Sequence, residues 1–151
     1  KNLKFNSRYN AKERSYEYKI INRQSDLVIK RQKAWLIRKK INLDLLKKGS
    51  KILEGTHDFS KFRASSCSSK SPLKKINKVL VRRRGEDISI IFKSQSFLQN
   101  QVRSMVGSLI YLSLGIWDIK KFKKYFDSKN RKLCAPPAPA CGLYLTKIKY
   151  N

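Results

Sequence analysis

The first third of the chain carries the alternating pattern of β-strands. Residues 14–22 place tyrosine and isoleucine on one side and Glu17 and Lys19 on the other, which is the period of two that a half-buried strand shows. Residues 33–37 predict a second, shorter strand. We therefore expect the chain to begin in β structure.

A helical pattern follows these strands. Its shared face consists of Leu45, Leu46, Gly49, Ile52 and Leu53. Asn42 can cap the first turn, and Gly55 is a favourable residue at the C-terminal end, so we expect the helix to end there. Residues 56–72 are rich in serine and predict a loop, which Phe59 and Phe62 anchor to the core.

The middle of the chain predicts a β-hairpin. Residues 76–84 and 87–93 have strand patterns and meet near Gly85 in a turn with a basic tip. A helix around Arg103, a short amphipathic helix at 119–126, a proline-rich connection and a last strand complete the order β, α, β, β, α, α, β. Runs of antiparallel strands with helices packed on one side predict an α+β fold with an antiparallel or mixed sheet.

One charged residue interrupts the most apolar stretch of the chain. Arg103 is the only charged residue between Ser94 and Trp117, although 30% of the chain is charged. The apolar residues at helical spacing are Leu98, Val102, Met105, Val106, Leu109 and Leu112. We therefore expect a buried helix, in which Arg103 meets an anionic partner. That partner is either a structural carboxylate or a group of a ligand, such as a phosphate.

The overall charge indicates which ligands the protein attracts. The sequence has 36 Lys+Arg and 10 Asp+Glu in 151 residues, a net charge of +26. Such a charge attracts polyanions, and nucleic acid is the leading partner. The alternative is that lysine merely fills exposed positions, because 40% hydrophobic residues still suffice for a core. The length fits one ordinary domain or one half of a larger protein.

The cysteines and the histidine do not predict a metal site. Cys67, Cys134 and Cys141 lack CxxC spacing, and the single histidine, His57, lies far from the latter two. We interpret the thiols as structural groups in a reducing compartment, which is the cytoplasm. His57 is expected to make a hydrogen bond near a helix end. The sequence also predicts neither a signal peptide nor a membrane span.

Four segments carry a resemblance to a known family. They are FNSRYNAKERSYEYKIIN at 5–22, EGTHDFSKFRASSC at 54–67, FLQNQVRSMVGSL at 97–109 and APPAPACGLYL at 135–145. In this order and spacing they resemble the C-terminal half of the tRNA pseudouridine synthase A family. The resemblance implies a pseudouridine synthase-like C-terminal subdomain over residues 1–151. It also implies a homodimer that uses no cofactor and isomerises uridine to pseudouridine at positions 38–40 of the tRNA anticodon stem-loop.

The resemblance assigns roles to three residues. Arg103, in VRSMVG, would form an ion pair with the catalytic aspartate and hold it ionised. Tyr16 would stack on the flipped uridine, and its hydroxyl would assist proton transfer. Leu143, in GLYL, would form an apolar wall. Without the resemblance, Tyr16 is an ordinary strand aromatic and Leu143 is a core residue.

The nucleophile of the family is missing from this sequence. The family carries its catalytic aspartate in an Arg-Thr-Asp-x-Gly motif of the N-terminal half, and no aspartate here follows Arg-Thr. We therefore expect this chain to be inactive alone and to need the N-terminal half, in cis or as a second chain. The alternative is a non-catalytic RNA-binding protein derived from the family, for example a component of a ribosome or an assembly particle. QNQVR at 99–103 also stands where many members have HHMVR, so local substrate contacts differ.

Five basic residues are candidates for RNA binding. They are Arg14, Arg63, Lys70, Arg82 and Arg83. Arg63 and Lys70 flank a serine-rich segment suited to phosphate contacts, whereas Arg82 and Arg83 stand at the hairpin tip, where simple solvation is the alternative. A general single-strand binder is disfavoured because aromatic residues are not interleaved with the basic ones on any strand.

Overall fold

Six strands and three helices make up the fold, in the computed structural model that describes residues 5–7, 9–29, 31–128 and 134–150. The elements are β1 (Glu13–Asn22), β2 (Trp35–Ile37), α1 (Leu43–Ile52), β3 (Gly55–Asp58), β4 (Leu73–Arg84), β5 (Asp87–Ser94), α2 (Gln101–Ser113), α3 (Ile119–Asp127) and β6 (Leu143–Lys149). The strands form one mixed sheet. The α+β prediction is therefore confirmed.

Strand β1 lies inside the sheet and organises its order. The order is β2-β1-β5-β4-β3, and β6 also pairs with β1. Strand β5 runs antiparallel along one side of β1. On the other side, antiparallel β6 pairs with residues 13–18 and parallel β2 pairs with residues 20–22. The strands β6 and β2 therefore lie end to end along one edge.

The apolar alternation of β5 separates the two faces of the sheet. Ile88, Ile90 and Phe92 are buried, whereas Ser89 and Ile91 are only half-buried. The buried side joins residues of all three helices in one core. Helices α1 and α2 approach closely at Gly49, where a Cβ would lie only 2.5 Å from a Leu112 methyl. The helices thus cover one face, and no helix within the described ranges covers the other.

The predicted loop at 56–72 is wrong at its start. Gly55–Asp58 forms β3, which pairs antiparallel with the beginning of β4. Strand β4 in turn begins at Leu73, three residues before the predicted start. The segment GTHD has weak β propensity, so its conformation comes from the neighbouring strand.

Two other expectations for this segment are confirmed. The His57 Nε2 atom lies 2.7 Å from the Glu54 carbonyl oxygen, just beyond the end of α1. Phe59 and Phe62 are buried, with 0% and 2% exposure. Both rings pack on Phe126 of α3. The segment is therefore anchored by aromatic contacts that the sequence did indicate.

Helix α2 begins later than its apolar spacing predicts. It starts at Gln101, after Asn100 in the left-handed conformation with φ +64°. Leu98 is buried, but it belongs to the preceding turn, where its N–H donates to the Gln101 side-chain oxygen at 2.8 Å. Gln101 is itself fully buried. It therefore closes the turn before α2 and is not a surface contact.

Candidate functional site

A cleft opens on the helix-covered side of the sheet, near the start of β1. Its volume is about 620 Å³. The residues that give it chemical character are Arg14, Tyr16, Cys67, Lys70, Lys74 and Phe97. Three of the predicted site residues, Arg14, Tyr16 and Lys70, are thus brought together. The combination of cations and aromatic rings suits a phosphorylated aromatic ligand such as a nucleotide.

Tyr16 lines this cleft, and a neighbouring aromatic ring holds its orientation. Its ring meets Phe97 edge to face, with centroids 5.2 Å apart and planes at 89°. The side chain is half-buried, so part of the ring stays accessible. Such edge-to-face contacts fix ring orientation. Tyr16 is therefore a pre-oriented aromatic surface, and Phe97 is a neighbour that the sequence did not assign to the site.

Cys67 lies in the same cleft, although the sequence indicates only a structural thiol. Backbone hydrogen bonds from Ser69 and Gln99, together with the charges of Arg63 and Lys74, lower the pKa of the Cys67 thiol. The cleft is therefore electropositive at the sulfur. Arg63 does not line the cleft but contributes to its potential from nearby.

Arg103 lies in the first turn of α2 and is only half-buried. Its Nε donates to the Ala138 carbonyl oxygen at 2.7 Å, and its Nη1 donates to the Asn100 side-chain oxygen at 3.4 Å. No salt bridge within the described ranges includes Arg103. Neutral oxygens accept the bonds that Arg103 makes within the described residues, so its anionic partner stays a prediction.

The local field at Arg103 still favours an anion. The two bonds use Nε and Nη1, so the Nη2 group keeps N–H donors for a further acceptor. The first turn of α2 contains no acidic residue, so the positive end of the helix dipole is not offset there. The position of Arg103 therefore suits a carboxylate from outside the described residues.

The proline-rich connection before β6 is held tightly beside Arg103. The Tyr18 hydroxyl donates to the Pro139 carbonyl oxygen at 2.6 Å, and the Ala138 N–H donates to the Arg103 carbonyl oxygen at 3.0 Å. Burial raises the pKa of Tyr18, with the charge of Arg103 opposing the shift. The hydroxyl thus stays protonated and can donate. Tyr18 and Arg103 together hold two consecutive carbonyl groups.

Two glycines allow this close approach. A Cβ at Gly107 would lie 2.0 Å from the Pro136 carbonyl oxygen, and one at Gly142 would lie 2.7 Å from the Lys19 carbonyl oxygen. Both obstacles are backbone atoms, which cannot move aside as a flexible side chain can. We call the segment 135–142, seated on α2 and β1, the clamped connection. Its rigidity sets where the next residue, Leu143, lies.

Leu143 begins β6 directly after the clamped connection. It pairs with Tyr18 across the sheet and is half-buried against the core. Tyr16 pairs with Leu145 two positions further along the same strands. The sequence motifs assigned a site role to Tyr16 but not to Tyr18. The strand alternation indicated only that Tyr18 is a core residue. Only its hydrogen bond across 121 residues reveals a positioning role.

Arg82 and Arg83 lie away from the cleft. Both are exposed near the end of β4, next to the turn at Gly85. The Arg83 Nε donates to the Gly85 carbonyl oxygen at 2.9 Å. The structure therefore does not unite all five predicted RNA contacts at one site.

The described part of the chain offers neither a metal centre nor a membrane helix. Within it, no group of three or more His, Cys, Asp or Glu side chains is placed to hold a metal ion. No helix in those same ranges is long and apolar enough to cross a membrane.

Comparisons with known proteins agree on one family. A family model described as tRNA pseudouridine synthase matches residues 50–151. A protein from Pelagibacter ubique named tRNA pseudouridine synthase A is 55% identical over 99% of this chain and 61% of its own length. Proteins with the same name are 41% identical in Azorhizobium caulinodans and 40% in Parvibaculum lavamentivorans. Each of these two matches covers 97% of this chain, and 57% and 60% of the relative. The chain thus spans about three fifths of their length.

Proposed function

Because this chain belongs to the tRNA pseudouridine synthase family, we propose that it is the substrate-holding part of an enzyme that isomerises uridine in tRNA. The proposed targets are positions 38–40 of the anticodon stem-loop. The observation that carries the proposal is the position of Arg103, whose Nη2 donors remain available at the N-terminus of α2.

The reaction defines what the site must do. Isomerisation breaks the bond between N1 of uracil and C1′ of ribose and forms a bond between C5 and C1′. The C5 proton leaves, and N1 gains a proton. An aspartate is the proposed nucleophile, and Arg103 would hold it ionised and oriented, because a nearby cation favours the charged carboxylate. This chemistry uses no metal and no cofactor.

The aromatic and apolar residues would hold the target base. A uridine that leaves its stack loses base stacking, which the Tyr16 ring can replace. Phe97 supports Tyr16 from the side. The clamped connection would set Leu143 as the apolar wall of the pocket. The base would then be oriented before the glycosidic bond breaks.

The cations of the cleft would bind the phosphates next to the target nucleotide. Arg14, Lys70 and Lys74 line the cleft, and Arg63 contributes charge from nearby. Such contacts provide salt-dependent affinity and position the RNA without selecting its sequence. Recognition of the anticodon stem-loop would therefore depend on shape as well as charge.

The proposed enzyme needs more than this chain. No aspartate in the 151 residues follows Arg-Thr, so the nucleophile would come from an N-terminal half, in cis or as a second chain. We propose that residues 1–151 are the C-terminal catalytic half, inactive alone, and that the complete enzyme is a cytoplasmic homodimer.

Replacing Arg103 tests this function. In the full-length enzyme, Arg103→Met should lower turnover by about a hundredfold or more, because it removes charge stabilisation of the nucleophile. The affinity for tRNA should stay nearly unchanged. Pseudouridine formation is followed by tritium release from C5-labelled tRNA, and affinity by filter binding.

Lys47→Met is the matched control, because Lys47 is an exposed cation on α1. It should change neither quantity. Loss of tRNA binding with unchanged turnover in Arg103→Met would contradict the proposed ion pair.

The net charge of +26 also suits a second candidate, a non-catalytic RNA-binding protein. Purification of the native protein separates the two functions. A partner or a longer chain with an Arg-Thr-Asp segment, together with isomerase activity, supports the enzyme. A chain of 17.7 kDa that copurifies with ribosomal RNA and lacks activity supports the second function.

A further inference from the structure

The sheet face that points away from the helices carries rows of cations. Because Ile90 and Phe92 of β5 face the core, Lys93 and Ser89 must face the other way. Strand register places Lys147, Ser15, Lys93 and Lys78 side by side across four strands. A second row, four residues away along β5, consists of Lys19, Ser89 and Arg82. We call this surface the open face.

A partly apolar row separates the two basic rows. It consists of Tyr144, Glu17, Ile91 and Leu80, all half-buried. The Lys19 ammonium lies 4.7 Å from the centre of the Tyr144 ring. Glu17 is the single anion of the three rows, against five cations. The open face is therefore strongly basic and has a flat apolar centre.

One pair on this face is electrostatically unfavourable in the protein alone. Lys78 lies directly opposite Lys93 on the neighbouring strand, and like charges at such positions destabilise a sheet. Two carboxylates are close enough to interact electrostatically with these lysines, but each is bonded to other partners. The first, Glu13, bonds to Lys149 and Asn77. An external anion would relieve the repulsion between the two lysines.

The second acidic group is Glu54. It bonds to Lys51 and to the Val79 N–H. None of the five cations of the open face takes part in a salt bridge within the described ranges. The charge of the face therefore stays available to a partner.

The charge pattern selects the partner. A second copy of this chain would place cations against cations, because a two-fold interface joins the same patch on both subunits. A polyanion is complementary to both basic rows. We propose that the open face binds the phosphate backbone of RNA, at a surface separate from the cleft. This inference rests on the proposed function, which supplies tRNA as the ligand.

The proposal is tested by removing four charges at a time. The open-face variant is Lys19→Gln, Lys78→Gln, Arg82→Gln and Lys93→Gln. The control variant carries Lys120→Gln, Lys121→Gln, Lys123→Gln and Lys124→Gln on α3, at positions away from the open face. Both have the same net charge, because 26 − 4 = 22 in each case. Filter binding to a tRNA transcript is measured over a series of salt concentrations around the physiological value.

We expect the open-face variant to bind tRNA about 10- to 100-fold more weakly at physiological salt. The slope of log K against log salt should become shallower by about 0.9 for each phosphate that is no longer neutralised. The control variant should change affinity less than about threefold. Equal losses of affinity in both variants would show only general attraction and would overturn the proposal, as would an unchanged open-face variant.

Two further measurements distinguish failure of this proposal from failure of the proposed function and from self-association of the protein. Full-length wild-type protein that fails to bind tRNA would overturn the proposed function as well. Sedimentation of all three proteins shows whether the open face joins two copies instead, and a change of oligomeric state without weaker RNA binding overturns the proposal. If the fourfold variant does not fold, the pair Lys78→Gln and Lys93→Gln is used, with an expected loss of affinity of about fivefold or more.

Discussion

Two cations, one in α2 and one in a segment that packs on it, differ in burial and in hydrogen bonding. Arg103, in the first turn, is half-exposed and donates to neutral oxygens of Ala138 and Asn100. Lys61, in the segment that packs on α2, is 5% exposed. Its ammonium has no hydrogen-bond partner among the residues described. It lies 5.1 Å and 5.3 Å from the ring centres of Phe62 and Phe126.

The difference shows how a charge can be kept available for chemistry. Arginine has several donors in a rigid fork, so some can hold the backbone while others remain for a ligand. The lysine ammonium is compact and strongly hydrated, and burial lowers the pKa of Lys61 to about 8. The charge at Arg103 is thus stabilised where a partner can reach it, whereas the charge at Lys61 is penalised.

The largest expected effect is a loss of protein stability when a glycine at a close contact of α2 is replaced. Gly107→Ala should destabilise the protein by about 3 kcal/mol, because the new Cβ meets the Pro136 backbone at 2.0 Å. Gly49→Ala, whose Cβ meets Leu112 and Leu109 methyl groups, should cost about 1 kcal/mol, because side chains can shift. Urea denaturation measures both. Similar losses of stability would show that the clamped connection is not rigid.

A smaller effect is expected at the hydroxyl that holds the clamped connection. Tyr18→Phe should lower stability by about 1 kcal/mol, through loss of the bond to Pro139. It should also lower kcat of the proposed full-length enzyme by about tenfold at unchanged KM, because Arg103 and Leu143 would lose precise placement.

The matched control is Tyr144→Phe, which removes a 2.7 Å hydroxyl bond to the Lys33 carbonyl oxygen and keeps the half-buried ring. Its kcat should not change. A Tyr18→Phe enzyme with normal kcat would show that the hydroxyl contributes only to stability.

The smallest expected effect is at Lys61. The ordinary lysine pKa of 10.5 is lowered to about 8 in the folded protein, so between these values the unfolded chain binds the extra proton. The stability of the wild-type protein should therefore rise with pH across this window. Lys61→Met should be more stable at neutral pH by about 1 kcal/mol, and the difference should shrink as the pH rises above the folded-state pKa.

Thermal unfolding at several pH values measures this difference, and exposed Lys47→Met should show no such trend. A less stable Lys61→Met protein would mean that the aromatic contacts of the ammonium outweigh its desolvation.

Local patterns predicted a large part of the fold. The alternation in β1 and β5 identified the strands and their buried faces, and the Asn42 cap was predicted correctly, with its side chain accepting the Leu45 N–H at 3.0 Å. Family-like motifs identified Tyr16, which does border the cleft. Each of these signals lies within a few residues of the feature it predicts.

Other features depend on segments that are far apart in sequence. Strand β3 forms because β4 lies beside it, although GTHD is a poor strand sequence. The sequence indicated Arg103 as the enclosed cation, and the structure shows that Lys61 is more deeply buried. The burial of a side chain depends on which segments pack around it, and the apolar spacing of one helix does not contain that information.

The sequence by itself determined the family, the α+β class and the strongly basic character, because motifs, periodicity and net charge are all local or additive properties. Only the tertiary structure decided that Tyr18 and Arg103 hold neighbouring carbonyl groups, and that Lys78 faces Lys93 across two strands. These contacts require a strand register and a chain path, which arise when distant segments pack together around one core.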